Sequence, residues 1–117
     1  MLEALNQQAG LAPRWIPEGY ICTSVNAKET PKAISISAVY DQNGEQIIIQ
    51  IRQEFGSPPM QIEKNEDLIE IYTADGVDYY IFSNMDTIHI AWVNGEYECL
   101  IVGKLSIDEA KKVIDSI

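Results

Sequence analysis

Three dipeptides, Asn43-Gly44, Asp75-Gly76 and Asn94-Gly95, each lie between two runs in which apolar residues alternate with others. This coincidence constrains the chain more than any other feature. Asn-Gly and Asp-Gly tolerate positive φ at both loop positions, as a type I′ turn requires, and that turn has the twist of the strands it joins. A two-residue loop at Asn43-Gly44 sets Tyr40 against Ile47, Ala38 against Ile49 and Ile36 against Ile51. The apolar faces then coincide, and a one-residue slip would put them on opposite sides. At Asp75-Gly76 the same reasoning pairs Ile71 with Tyr80 and Ile69 with Phe82 on one face, and Tyr72 with Tyr79 on the other. That ribbon is apolar on both sides, so it reads as either the centre of a sheet or a contact surface. A two-residue loop at Asn94-Gly95 pairs Trp92 with Tyr97, Ile90 with Cys99 and Ile88 with Ile101.

Around these hairpins the remaining elements fall into place. Residues 20–26 read as a first strand, followed by a polar loop from Asn26 to Lys32 that contains Pro31. Near the C-terminus, Ser106 and Glu109 have the spacing of a capping box, and Leu105 with Ala110 suits a hydrophobic staple. Ile107, Ala110, Val113, Ile114 and Ile117 then share one helical face, with Asp108–Lys112 and Lys111–Asp115 spaced for ion pairs on the other. Leu2, Leu5 and Ala9 allow a short helix before Gly10, and Pro13 and Pro17 favour an extended lead-in that Trp15 and Tyr20 pin to the sheet edge. The expected fold class is α+β, mostly β. It is a twisted antiparallel sheet of about seven or eight strands in consecutive hairpins, packed by a C-terminal helix over 106–117. One domain is expected over 1–117, with a lead-in at 1–19, hairpins over 20–102 and the closing helix.

Charge narrows the partners. Eighteen acidic against eight basic residues give a formal net charge of −10. Such a surface repels polyphosphate, so nucleic acid is not expected as a partner, nor an anionic membrane. Apolar runs such as Ile47-Ile48-Ile49 are far short of a membrane span, so no direct insertion is expected. The N-terminal stretch has neither a basic nor an apolar region of the kind a signal peptide carries. That leaves two placements: the cytoplasm, or the far side of a membrane with a leader or anchor supplied from outside this sequence.

Residues that could carry chemistry are few. His89 is the single histidine, and across the third hairpin Glu98 is its expected diagonal neighbour, a pair with general-base potential. Asp75, Asp78 and Asp86 lie near hairpin ends but lack the regular spacing of a calcium loop. Cys22 and Cys99 match no metal or redox spacing and read as two buried free thiols rather than a bridge. The sequence holds no Gly-x-Ser-x-Gly and no glycine-rich phosphate loop. No catalytic residue, no metal ligand and no cofactor is therefore expected. The segment Phe55 to Met60, with Pro58 and Pro59, combines apolar side chains with breakers and reads as the best patch for contact with another protein.

The run Trp15-Ile16-Pro17-Glu18-Gly19-Tyr20 has a pattern of hydrophobic-Pro-x-Gly-Tyr. The closing run has Ile90-Ala91-Trp92, then Asn94-Gly95-x-Tyr97, then Leu105-Ser106 leading into a helix that ends Ile114-Asp115-Ser116-Ile117. Together these resemble an uncharacterised bacterial domain family, found as the C-terminal extracytoplasmic domain of anti-sigma-factor-like and lipoprotein-like proteins of Gram-positive bacteria. The resemblance spans nearly the whole chain and implies an extracytoplasmic setting, no enzymatic activity and no catalytic residues to carry over. Trp92, Tyr97 and Tyr20 match its pattern as packing residues.

Three functions are then in view. The first is a non-enzymatic sensor or protein-binding domain, with the patch at Phe55, Pro58, Pro59 and Met60 or a sheet edge as contact. The second is a carrier of a small apolar ligand or lipid, with a cavity between sheet and helix lined by Ile36, Ile49, Trp92 and Ile114. The third is an enzyme built on His89 and Glu98, the least supported of the three.

Overall fold

The structure is a computed structural model and describes residues 13–54, 68–95 and 97–117. Among the described residues seven strands form one sheet: β1 (Ile21–Glu29), β2 (Ala33–Gln42), β3 (Glu45–Glu54), β4 (Leu68–Ala74), β5 (Val77–Asn84), β6 (Thr87–Asn94) and β7 (Tyr97–Gly103). One helix, α1 (Ile107–Asp115), follows. The spatial order is β1-β2-β3-β7-β6-β5-β4 and every neighbouring pair is antiparallel. Two meanders, β1–β3 and β4–β7, thus join along the non-local β3–β7 seam, which leaves β1 and β4 as the edges. The expected α+β, mostly β class is what the chain adopts.

The turns act as their chemistry dictates. Asn43 and Gly44 have φ of 48° and 84°, Asp75 and Gly76 of 50° and 78°, so both loops carry the paired positive φ of a type I′ turn. Tyr40–Ile47, Ala38–Ile49 and Ile36–Ile51 pair as expected. The sequence reading overlooked a fourth tight turn between β5 and β6, where Asn84 pairs with Thr87 and Met85 has φ +56°. Methionine is an uncommon residue in that conformation, so no Asn-Gly signal marked it.

Three expectations change. In the β6–β7 hairpin the closing pair is Asn94–Tyr97, and Gly95 at φ +62° opens the loop. Trp92 therefore faces Cys99, Ile90 faces Ile101 and Ile88 faces Gly103. Moving the turn by one residue moves each partner by two, which leaves every side chain on its face; alternation alone cannot tell the two registers apart. In the β4–β5 hairpin, Ile71–Tyr80 and Tyr72–Tyr79 hold, but a bulge between Leu68 and Glu70 places Leu68, not Ile69, opposite Phe82. β1 also runs on to Glu29, so the polar stretch from Asn26 is mostly strand. At an edge, polar side chains stay solvated while the backbone pairs with β2.

The buried face is ordered as transverse rows. One runs Ile36–Ile51–Cys99–Trp92–Tyr79–Tyr72 across six strands, the next Ala38–Ile49–Ile101–Ile90–Ile81. Ile49, Ile101, Ile90 and Ile81 have no exposed surface, and Tyr79 meets Trp92 with ring centroids 5.1 Å apart. Gly103 is required in its row, because a Cβ there would stand 2.8 Å from Ile47 Cγ1.

Helix α1 starts as its sequence specifies. The Ser106 hydroxyl accepts from Glu109 N–H (3.0 Å) and the Glu109 carboxylate accepts from Ser106 N–H (2.9 Å), completing the capping box. Ala110, Val113 and Ile114 are buried in the core cluster, and the helix lies against β4 and β6. Its charges do not form the expected pairs along the helix. Lys111 instead reaches Glu70 of β4 at 2.8 Å, and Asp115 accepts from the Tyr72 hydroxyl at 2.8 Å. The lead-in is clamped to the other end of the helix. The Ser116 hydroxyl accepts from the backbone of both Arg14 and Trp15 (3.0 Å each), and Lys112 sits 4.3 Å over the Trp15 ring. Trp15 therefore pins the lead-in to the helix rather than to a sheet edge, while Tyr20 donates to Glu45 at the β2–β3 turn.

Candidate functional site

The sheet presents two unlike faces. The helix side is closed: Ile36, Ile49, Trp92 and Ile114, the residues expected to line a ligand cavity, all lie in one core cluster and are at most 8% exposed. They are brought together, but as packed core. Two polar atoms in this interior, Tyr40 Oη and Trp92 Nε1, are buried without a hydrogen-bond partner among the described residues. A buried donor left unpaired costs about 1–3 kcal/mol, so these atoms mark where the interior is least satisfied. Burial pushes the Tyr40 hydroxyl up to about 12, with Cys22 facing it across the strands as a lesser cause. Burial likewise pushes the Cys99 thiol up to about 12, aided by neighbouring Glu98. A thiol so placed is protonated and inert at neutral pH.

The opposite, outer face carries no described helix and is apolar along a band. Ile71, Tyr80, Ala91 and Leu100 succeed one another across β4, β5, β6 and β7, and Phe82, His89, Val102, Ile48 and Val39 form the adjoining row. Most are half-buried, but at the β4 edge Ile71 is 37% and Ile69 46% exposed. The cause is local: β4 ends the sheet, and its bulge turns Ile69 out of register. The β4–β5 ribbon, apolar on both sides, is thus at an edge rather than at the sheet's centre.

The residues considered for chemistry are dispersed. His89 faces Val102, and Glu98 faces Val93, so the two lie four residues apart along β7, about 13 Å at strand rise. The diagonal His89–Glu98 contact depended on the register that the β6–β7 turn does not adopt. The His89 ring instead lies 3.3 Å from the Thr87 hydroxyl. Asp78 accepts from Thr73 at 2.6 Å, and Asp75 sits in its turn. Among the described residues no three histidine, cysteine or acidic side chains gather as a metal site would need. Cys22 and Cys99 form no disulfide: β1 and β7 are three strand spacings apart, roughly 14 Å, and Cys22 lies in the row of Tyr40, Ile47 and Gly103, well along β7 from Cys99, so the pair is beyond disulfide reach. Phe55, Pro58, Pro59 and Met60 lie outside the described residues, as does the short helix expected near Leu2. No described helix is long and apolar enough to cross a membrane.

The family described as a domain of unknown function (DUF4367) matches residues 10–117. No curated protein matches the chain.

Proposed function

Since the chain belongs to the DUF4367 family, whose description assigns no activity, we propose its function from its own surfaces: a non-enzymatic sensor or protein-binding domain. Its contact face is the outer side of β4 and β5, around Ile71 and Tyr80. The observation that carries this reading is the apolar band that ends in exposed Ile69 and Ile71 at a sheet edge. Burying apolar surface against a partner is favourable by about 25 cal/mol per Å². Isolated exposed apolar residues need no such explanation, whereas a contiguous band does. The extracytoplasmic setting implied by the resemblance belongs to this proposal, with the domain as the soluble outer part of an envelope or anti-sigma-like protein.

The test is photo-cross-linking in the native host from positions 71, 80 and 85. Met85 is 95% exposed and sits on the β5–β6 hairpin loop, at the far end of β5 from Ile71 and Tyr80. Adducts to a protein from positions 71 and 80 but not 85 support the reading. Equal adducts from all three, or none, overturn it.

A further inference from the structure

On the outer face at the opposite edge of the sheet, three residues line up across strands. Lys28 of β1 pairs with Ser35 of β2, and Ser35 with Arg52 of β3. Alternation puts all three side chains on one side, and two strand spacings separate the flanking Cα atoms by about 10 Å. Two long cationic side chains so spaced can converge over the short serine between them. The next position along β2 is Ala33, also small, and Thr30 closes the end. Together Lys28, Thr30, Ala33, Ser35 and Arg52 line a cleft of about 230 Å³ with no carboxylate in its wall.

Charge makes the cleft unusual. The chain has 8 basic residues against 18 acidic, yet the two charged groups lining this cleft are both cations, and exposed Lys32 lies in the adjoining loop. Arg52 ion-pairs with Glu54 through Nη2, and Glu98 faces Arg52 from β7. Lys28 has no ion pair with a described carboxylate. The Thr30 hydroxyl is spoken for, donating to Ala33 O and accepting from the Lys32 and Ala33 N–H groups, so it shapes the wall rather than offering a donor.

We propose that this cleft binds a compact dianionic oxyanion, a phosphoryl group or a close pair of carboxylates, between the Lys28 ammonium and the Arg52 guanidinium with the Ser35 hydroxyl beneath. A guanidinium offers planar paired donors and an ammonium a mobile point charge, a combination suited to several oxygens on one centre. The small floor admits the anion to the level of the serine. This site lies across the sheet from Ile71 and is independent of the protein-binding face.

The test is an NMR amide titration of the whole chain at constant ionic strength, with inorganic phosphate in one arm and malonate in the other. Saturable shifts at residues 28, 33 and 35, in the millimolar range, are expected. Preference between the arms identifies the phosphoryl or the dicarboxylate source. Lys28→Gln and Arg52→Gln should each weaken binding about three- to tenfold, given the modest worth of exposed charge contacts. Ser35→Val changes no charge and suits a strand, but fills the floor, and should abolish saturation. Lys104→Gln removes the same charge beside Glu45, seven residues along β3 from Arg52, and should leave binding unchanged. Linear unsaturable shifts, wild-type titration in Ser35→Val, or equal weakening by Lys104→Gln would each overturn the proposal.

Discussion

Ser116→Ala tests how the two ends of the chain are joined. One hydroxyl links segments about a hundred residues apart: it accepts from Arg14 N–H and Trp15 N–H and donates to Val113 O at 2.7 Å. The three bonds are not equal. Arg14 N–H is exposed and also reaches the Ser116 carbonyl at 3.2 Å, so it keeps a partner when the hydroxyl goes. Trp15 N–H is half-buried, and Val113 O already serves the helix end by accepting from Ser116 N–H. Most of the loss therefore falls on Trp15. Taking about 0.5–1.5 kcal/mol per intramolecular hydrogen bond, the variant should be destabilised by about 1–2 kcal/mol. For a domain of this size that lowers Tm by about 4–8 °C. Urea unfolding should show a lower midpoint with an unchanged slope, since the folded surface is the same. Amide exchange should rise at Trp15 with the β2–β3 core unaffected, and Ser116→Thr should restore both. A midpoint indistinguishable from wild type together with unchanged exchange at Trp15 would refute the clamp.

Ile101→Ala, in the centre of a fully buried row, should cost about 2–5 kcal/mol, whereas Ile71→Ala on the outer face should cost about 1 kcal/mol or less; comparable values in denaturant unfolding would mean the faces are misassigned. Gly103→Ala should destabilise by about 1–3 kcal/mol through Ile47, and pairing it with Ile47→Val should recover part of that loss in the same assay. Stability should also decline in base. Cys99 and Tyr40 have folded pKa values raised to about 12 from 9.0 and 10.0, so their contribution is intact below pH 9 and is lost as pH rises from there towards 12. Each group adds at most about 1.4 kcal/mol per pH unit. The alkaline limb of a pH–stability profile should be shallower in Cys99→Ala, and an unchanged slope would contradict burial of the protonated thiol.

Local chemistry determined much of this protein in advance. Asn43-Gly44 and Asp75-Gly76 fold as their positive-φ tolerance requires, and period-two alternation assigned Ile36, Ile47, Ile49, Ile51, Ile90, Trp92 and Ile101 to the core. Ser106 and Glu109 announced the helix start. Each of these is settled within a few residues, by backbone sterics or by a single hydrogen bond. What needed the folded chain was everything that depends on distant neighbours. Alternation cannot register a two-residue shift, so the Trp92–Cys99 pairing, and with it the separation of His89 from Glu98, was decided by where Gly95 sits in its loop. The β3–β7 seam joins strands with no turn between them, and only that seam puts β4 at an edge and bares Ile71. The cleft between Lys28 and Arg52 was invisible for the same reason, since its cations are 24 positions apart in sequence and meet only because β1, β2 and β3 lie side by side. The core of this domain follows from short-range pattern, but its surfaces, where any partner must bind, follow from strand order.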